Sequence, residues 1–412
     1  MPGHAGEMDI SYGESGYARF PGMPPDENAR VIAITQDPDG SLAVVCAVKG
    51  ERKNFFIRIT SNGKWDTLTG FRPIEVPADQ DDSASHFEMI ARNPAANTYI
   101  AQSTTYYMEE DQSIGTCAVG QYDLNFNPLS GFGKLGITLH TPGHAPTKPN
   151  TTEPVKVLRS ERIGNEIRSL FISKRDTESE PTAWIALLDA LTGLPLPGVG
   201  QARVALPILD VQPGTPTYPL RITDSDFLDD GSLVLAGSTD WRQIITKFKA
   251  DGSLDTVFGI NQVAAHRKEV KFSVDRQCKR VVTVAGTPRN FGEQSVLIVR
   301  RFFLDGRVDS DFGENGLVNI FMANYEWNTV IGVSIDSAQR VIIATNQRKG
   351  IDVSNHATVT RLLNSGHLDK SFGSLGHFQD PTLQLQNLLF NDGELKLLAQ
   401  KGDDFLAIRL HL

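Results

Sequence analysis

The chain has 412 residues, 40% of them hydrophobic and 22% charged, with a formal net charge of −9. That length excludes a single minimal domain, and the apolar content is that of a core-forming chain rather than a disordered one. A net-negative chain with no block of Lys or Arg is not expected to bind nucleic acid or an anionic membrane surface.

The first residues, Met1-Pro2-Gly3-His4-Ala5-Gly6-Glu7, show no charged segment followed by an apolar one, so no secretory leader is visible. No run approaches the ~20 apolar residues of a membrane helix. The expectation is a chain that does not insert into a membrane and that stays in the cytoplasm or leaves by a leaderless route. Glu7-Met8-Asp9-Ile10-Ser11-Tyr12-Gly13 then opens a pattern of the form apolar-Asp-x-x-aromatic-Gly, followed by a short strand at Gly16-Tyr17-Ala18-Arg19-Phe20. Weaker copies end at Gly70 (Trp65-Asp66-Thr67-Leu68-Thr69-Gly70), Gly133 (Pro128-Leu129-Ser130-Gly131-Phe132-Gly133) and Gly200 (Pro195-Leu196-Pro197-Gly198-Val199-Gly200). Strong copies end at Gly259 (Leu254-Asp255-Thr256-Val257-Phe258-Gly259), Gly313 (Val308-Asp309-Ser310-Asp311-Phe312-Gly313) and Gly373 (Leu368-Asp369-Lys370-Ser371-Phe372-Gly373). The seven final glycines recur about every sixty residues, which marks an internal repeat.

One unit shows the plan of all. Residues 269–274, 280–285, 295–302 and 316–320 are four short runs rich in β-branched residues, separated by turn chemistry, with almost no helical periodicity. In the motif, the Asp is expected to accept from backbone amides just ahead, the aromatic to anchor neighbouring units, and the Gly to take positive φ. The chain begins with a motif plus one strand and ends at Asp404–Leu412 on a third strand with no motif after it. The missing fourth strand of the last unit is therefore expected from the N-terminus, which removes the open edges of an array. These readings predict an all-β chain forming one domain over residues 1–412. It is a seven-bladed β-propeller with four-stranded antiparallel blades, the last closed by the N-terminal strand.

The segment Ala250-Asp251-Gly252-Ser253-Leu254-Asp255-Thr256-Val257-Phe258-Gly259 resembles the bacterial delta-60 repeat. The resemblance spans the chain and implies a propeller with an NHL-like repeat plan. It implies no shared catalytic residues.

Naming the strands of a unit A to D, the A–B and C–D connections are short, as at Asp37-Pro38-Asp39-Gly40-Ser41. That Asp-Gly turn lacks the later ligands of a calcium loop and is read as a tight turn. The B–C and D–A connections are expected to be long loops, including residues 103–114, 141–154, 207–219 and 346–357. Variable loops on a rigid scaffold are where binding tends to reside. Trp241, Arg242, Tyr325, Trp327, Tyr106 and Tyr107 are the candidate ligand-binding residues there, since an aromatic face beside polar groups suits a sugar ring or a peptide. His86, Glu88, Arg221, Glu269, Lys271 and Asn328, near the starts of the A strands, are candidates to line the central channel. A polar, water-filled lining is expected; no cofactor is assigned, and Ca²⁺ is the ion such a ring of oxygens would suit. Cys46, Cys117 and Cys278 cannot all pair and lie at no metal-ligand spacing; His140 and His144 share no helical face across Pro142-Gly143; no His-Glu-x-x-His, nucleophile elbow or phosphate loop occurs. The function expected is a non-enzymatic module binding a glycan, peptide or protein on the long-loop face. The alternative is a metal-assisted hydrolase, lactonase or lyase at the channel mouth.

Overall fold

The computed structural model describes residues 4–20, 29–48, 54–74, 86–93, 96–109, 112–134, 136–140, 156–173, 182–196, 201–204, 220–238, 242–264, 270–286, 295–322, 327–348, 356–391, 393–402 and 404–412. Among the described residues, short runs of β-branched and aromatic residues make 28 strands. The first, β1 (Tyr17–Arg19), belongs to the last blade. Blade 1 is β2 (Ala29–Gln36), β3 (Leu42–Val48), β4 (Asn54–Ile59) and β5 (Arg72–Pro73). Blade 2 is β6 (His86–Asn93), β7 (Thr98–Glu109), β8 (Gln112–Tyr122) and β9 (Ile137–His140). Blade 3 is β10 (Lys156–Ile163), β11 (Glu166–Ser173), β12 (Thr182–Asp189) and β13 (Gln201–Val204). Blade 4 is β14 (Arg221–Phe227), β15 (Leu233–Ser238), β16 (Gln243–Phe248) and β17 (Ile260–Ala264). Blade 5 is β18 (Val270–Asp275), β19 (Arg280–Gly286), β20 (Ser295–Phe303) and β21 (Leu317–Met322). Blade 6 is β22 (Trp327–Ile335), β23 (Val341–Arg348), β24 (His356–Leu362) and β25 (His377–Asp380). Blade 7 is β26 (Gln384–Asn391), β27 (Glu394–Lys401) and β28 (Asp404–Leu410), completed by β1.

All ladders are antiparallel, and the first strand of each blade is innermost. Each innermost strand touches the next around the ring, and β26 touches β2, so the seven sheets close on themselves. The closure is made by the chain ends. Tyr17, Ala18 and Arg19 pair with Ile408, Ala407 and Leu406. The Gly6 amide donates to the His411 carbonyl at 2.6 Å and the Asp9 amide to the Arg409 carbonyl at 2.9 Å. The N-terminus thus supplies the motif and the outer strand that the last blade lacks. The expected seven-bladed propeller with N-terminal closure is the fold observed. The expected loop at residues 103–114 is instead the end of a long β7–β8 hairpin, in which Tyr106 opposes Gly115 and Tyr107 opposes Ile114. The β-branched and aromatic residues Thr104, Thr105, Tyr106 and Tyr107 extend the ladder rather than break it.

The repeat motif builds the turn before the outermost strand. In every blade the amide at the motif's Asp position donates to a carbonyl of the third strand: Asp66 to Arg58, Leu129 to Gln121, Leu196 to Leu187, Asp255 to Lys247, Asp309 to Arg301, Asp369 to Arg361 and Asp9 to Arg409. Where the residue is Asp, its carboxylate accepts the amide two residues on, as expected of an Asx turn. Tyr12, Phe132, Phe258, Phe312 and Phe372 are buried. The closing glycines at 13, 70, 133, 259, 313 and 373 have φ between 53° and 66°. The N–H groups of Gly13, Gly133 and Gly313 donate to the turn of the next blade, at Asn62, Thr192 and Ser365. At the closure Gly373 donates to Ala5. A side chain at Gly306 would meet the Phe258 carbonyl at 2.2 Å, so only glycine lets one blade's turn seat on its neighbour's motif.

Candidate functional site

Little of the long-loop face falls among the described residues. Trp241, Tyr325 and Glu269 lie outside them. Arg242 is exposed just before β16. Trp327 begins β22, opposite Arg348. His86 begins β6 opposite Thr104, and Glu88 is the extra residue of a bulge between Phe87 and Met89. Arg221 begins β14 and is exposed. Asn328 is buried and donates to Ser295 Oγ of blade 5 at 2.7 Å, so it links two blades rather than lining water. Lys271 donates to the Thr223 carbonyl of blade 4 at 3.2 Å. The described candidates lie on blades 2, 4, 5 and 6.

What does converge lies along the channel. Each innermost strand is hydrogen-bonded on its outer side and flanked by its neighbours, so its remaining exposure opens to the axis. Six of the seven carry a bulge, between Val31 and Ala33, Phe87 and Met89, Val157 and Arg159, Ile222 and Asp224, Val330 and Gly332, and Leu385 and Asn387. A bulge re-aims the side chains beside it. Around blades 6, 7, 1 and 2 the half-buried residues of these strands are mainly apolar, among them Ile331, Leu388, Ile32 and Met89. Around blades 3, 4 and 5 they are mainly charged. Alternation sets Arg159 and Glu161 on one side of β10 and Asp224 and Asp226 on one side of β14.

The charged arc is tightest at the short-turn end. Arg159 Nη2 lies 2.7 Å from Asp226 Oδ1 and 3.8 Å from Glu161 Oε2. Arg276, just past β18, reaches Asp226 Oδ2 at 3.2 Å, Glu161 Oε1 at 3.4 Å and Asp229 Oδ1 at 3.4 Å, and donates to the Phe227 carbonyl at 2.6 Å. Three blades are therefore tied through two guanidinium groups. Burial, and then the neighbouring Asp226, push the Glu161 carboxyl up to about 6 against the pull of Arg159 and Arg276. Burial likewise raises Asp224, although its oxygens accept the Phe272 and Ser225 amides and Lys271 lies near. The Arg159 side chain is still 42% exposed, so the cluster is in contact with water in the channel. Its carboxylates are held by guanidinium groups, and among the described residues no group of three or more His, Cys, Asp and Glu is placed to hold a metal ion. Cys46 is buried and Cys278 exposed, and both are free thiols.

These residues lay outside the candidates drawn from the sequence, which came from the opposite ends of the strands. The signal was there: Arg159-x-Glu161 and Asp224-x-Asp226 place like-facing charges on strands that should be apolar. The Asp37 turn is as expected a tight one. Gly40 donates to the Asp37 carbonyl, and the Asp37 carboxylate takes Arg58, Arg92 and Tyr99 rather than a cation site's ligands.

A domain of unknown function with a β-propeller fold, DUF5122, matches residues 228–258. No curated protein matches the chain. Among solved structures, the chain is similar to prolyl oligopeptidase B from Galerina marginata, at 12% identity over 91% of this chain and 47% of that one, with a TM-score of 0.49. It is similar to the acylaminoacyl peptidase of Pyrococcus horikoshii in its orthorhombic crystal form, at 10% identity over 93% of this chain and 52% of that one, with a TM-score of 0.46. It is also similar to the Dos1 propeller, at 10% identity over 92% of each chain, with a TM-score of 0.44. The chain spans about half the length of the peptidases it matches.

Proposed function

We propose that this protein is a non-enzymatic binding module that takes a peptide or protein segment over its central channel. In this reading its sixty-residue units are delta-60 repeats. The observation that supports it most is the two-sided channel wall, apolar around blades 6, 7, 1 and 2 and charged around blades 3, 4 and 5. A segment with apolar side chains on one side and polar or charged ones on the other finds complementary chemistry on both arcs. In the same reading Trp241 and Trp327 are aromatic contacts for the segment's far end.

The test is selection of peptides from a displayed random library against the full chain, followed by titration of the selected peptide. Ile32→Thr on the apolar arc and Glu161→Gln on the charged arc should each weaken binding roughly tenfold, about 1.4 kcal/mol, with the fold unchanged. Selected peptides indifferent to both substitutions, or turned over by the protein, would defeat the reading.

A further inference from the structure

We propose a second binding site, on the outer rim between blades 5 and 6, that takes an extended peptide as an added strand on β21. It is independent of the channel reading. Strand β21, Leu-Val-Asn-Ile-Phe-Met, is the outermost strand of blade 5 and, at six residues, the longest outer strand among the described residues. Among the described residues it pairs only with β20 and, at Leu317, with the turn before it. The Leu317 amide donates to the Glu314 carbonyl and the Glu314 amide to the Leu317 carbonyl, both on the outer side. Antiparallel alternation then turns the N–H and C=O groups of Asn319 and Phe321 outward as well. Both residues are exposed, Phe321 by 65%.

Among the described residues, most other outer strands are shorter than β21 and carry a charge or a proline. Strand β5 is two residues long and contains Arg72 and Pro73; β13 carries Arg203; β25 ends on Asp380; β1 is three residues long and ends on Arg19. The next longest, β17, has its Val263 carbonyl taken by Arg300. Strand β21 has neither charge nor proline, the usual devices that stop an edge from pairing. Beside it runs a cleft of about 380 Å³ lined by Glu314, Leu317, Val318, Asn319, Phe321 and His367, with Gly313 and Gly366. The open edge supplies backbone donors and acceptors for an extended chain, and Phe321 and Leu317, on one face of the strand, offer apolar contacts to alternate side chains. Glu314 is the acidic residue of the lining, and no Lys or Arg lines the cleft. The occupant is therefore an extended peptide with alternating apolar residues and a Lys or Arg to meet Glu314.

The probe is a fluorescein-labelled heptapeptide of alternating valine and threonine with a lysine at each end, compared with the same peptide carrying glutamates. Fluorescence polarisation should show saturable binding of the lysine peptide to the full chain. Asn319→Pro removes one outward donor and leaves the β20 ladder intact. It should weaken binding roughly tenfold, as should Phe321→Ala. Glu314→Lys should reverse the preference between the two peptides. If circular dichroism shows that Asn319→Pro does not fold, Phe321→Ala and Glu314→Lys, both at exposed positions, still decide. No saturable binding, or binding indifferent to these substitutions, overturns the proposal. So does a dimer by sedimentation that Asn319→Pro returns to monomer, because the edge would then belong to a second copy. Ile32→Thr and Glu161→Gln should leave this binding unchanged, which separates its failure from failure at the channel.

Discussion

Blades 5, 6 and 7 and blades 2 and 3 build the same turn with opposite chemistry. In the first group an Arg on the third strand, buried in blades 5 and 6 and half-buried in blade 7, pairs with the motif Asp and lies over the motif ring. Arg301 Nε is 2.8 Å from Asp309 and its guanidinium 4.5 Å from the Phe312 ring centre; Arg361 is 2.8 Å from Asp369 and 4.6 Å from Phe372. Arg409 pairs with Asp9 and lies 5.1 Å from Tyr12. In blades 2 and 3 the Asp is Leu129 or Leu196, and the third-strand residue opposite is Gln121 or Leu187. The cation and the carboxylate are absent together. A buried charge without its partner is costly, whereas exchanging the whole pair for apolar groups is close to neutral. Blade 1 stands between. It keeps Asp66 but has Thr69 for the ring, and Arg58 pairs instead with Asp37 of its own blade and donates to Tyr99 of the next. There Phe56, Tyr99, Tyr122 and Phe126 form an aromatic cluster in the interface of blades 1 and 2. The backbone turn is thus what the repeat preserves, and the ion pair is one of several ways to fill it.

The largest expected effect comes from removing the chain end that completes blade 7. Deleting residues 1–19 strips β1, Tyr12 and Asp9 from a sheet whose remaining outer edge holds Leu406, Ile408 and Leu410. Loss of the soluble monomer on size-exclusion chromatography is expected. A monomer with unchanged thermal stability would show that closure does not depend on this strand.

Next come the anchors of the ion-paired blades. Phe312→Ala or Phe372→Ala, each at a fully buried ring, should cost about 3–5 kcal/mol in urea unfolding. A cost below about 1 kcal/mol would mean the blades do not lean on these rings. The pair itself allows a direct comparison of the two groups. Asp369→Leu alone strands Arg361, 1% exposed, and should cost about 3–5 kcal/mol. Adding Arg361→Leu recreates the leucine pair of blade 3 and should recover most of that loss. If the double variant is no more stable than the single one, the absence of both charges from blade 3 has another cause.

The smallest effect is on pH dependence. Burial alone would raise the carboxyls of Asp9, Asp255 and Asp369. Motif hydrogen bonds and the third-strand cation outweigh it and hold all three below their ordinary value of 3.8. They stabilise the fold above that value, and the contribution is lost as pH falls through their lower folded values. Glu161 has the opposite sign. Its carboxyl is raised from 4.5 to about 6, so the fold prefers it protonated and stability declines as pH rises across that interval. Glu161→Gln should flatten the decline, an effect of at most about 1 kcal/mol once solvent screening is allowed for. Melting curves from pH 4 to 7 on both proteins would show it, and parallel curves would place Glu161 outside the coupling.

Much of the fold is legible in one dimension because it is built from local rules. Strand alternation, turn residues and a motif recurring about every sixty residues identify the blades, and the out-of-phase repeat points to the closure, in which β1 pairs the outer edge of β28. The Asp-Gly turns and the positive-φ glycines are equally local. The site is less so. Asn328 follows the strand pattern of a channel residue, yet a neighbouring blade buries it against Ser295. The cluster of Arg159, Glu161, Asp226 and Arg276 comes from three blades, with Arg276 over a hundred positions from Arg159. The outer edge of β21, among the described residues, is likewise set by which elements lie beside it in space. Sequence determines which residues take strands and turns, because those preferences are settled within a few positions. Only the closed ring decides which charges meet and which edge stays bare, because burial and Coulomb interaction depend on distance in space and not along the chain.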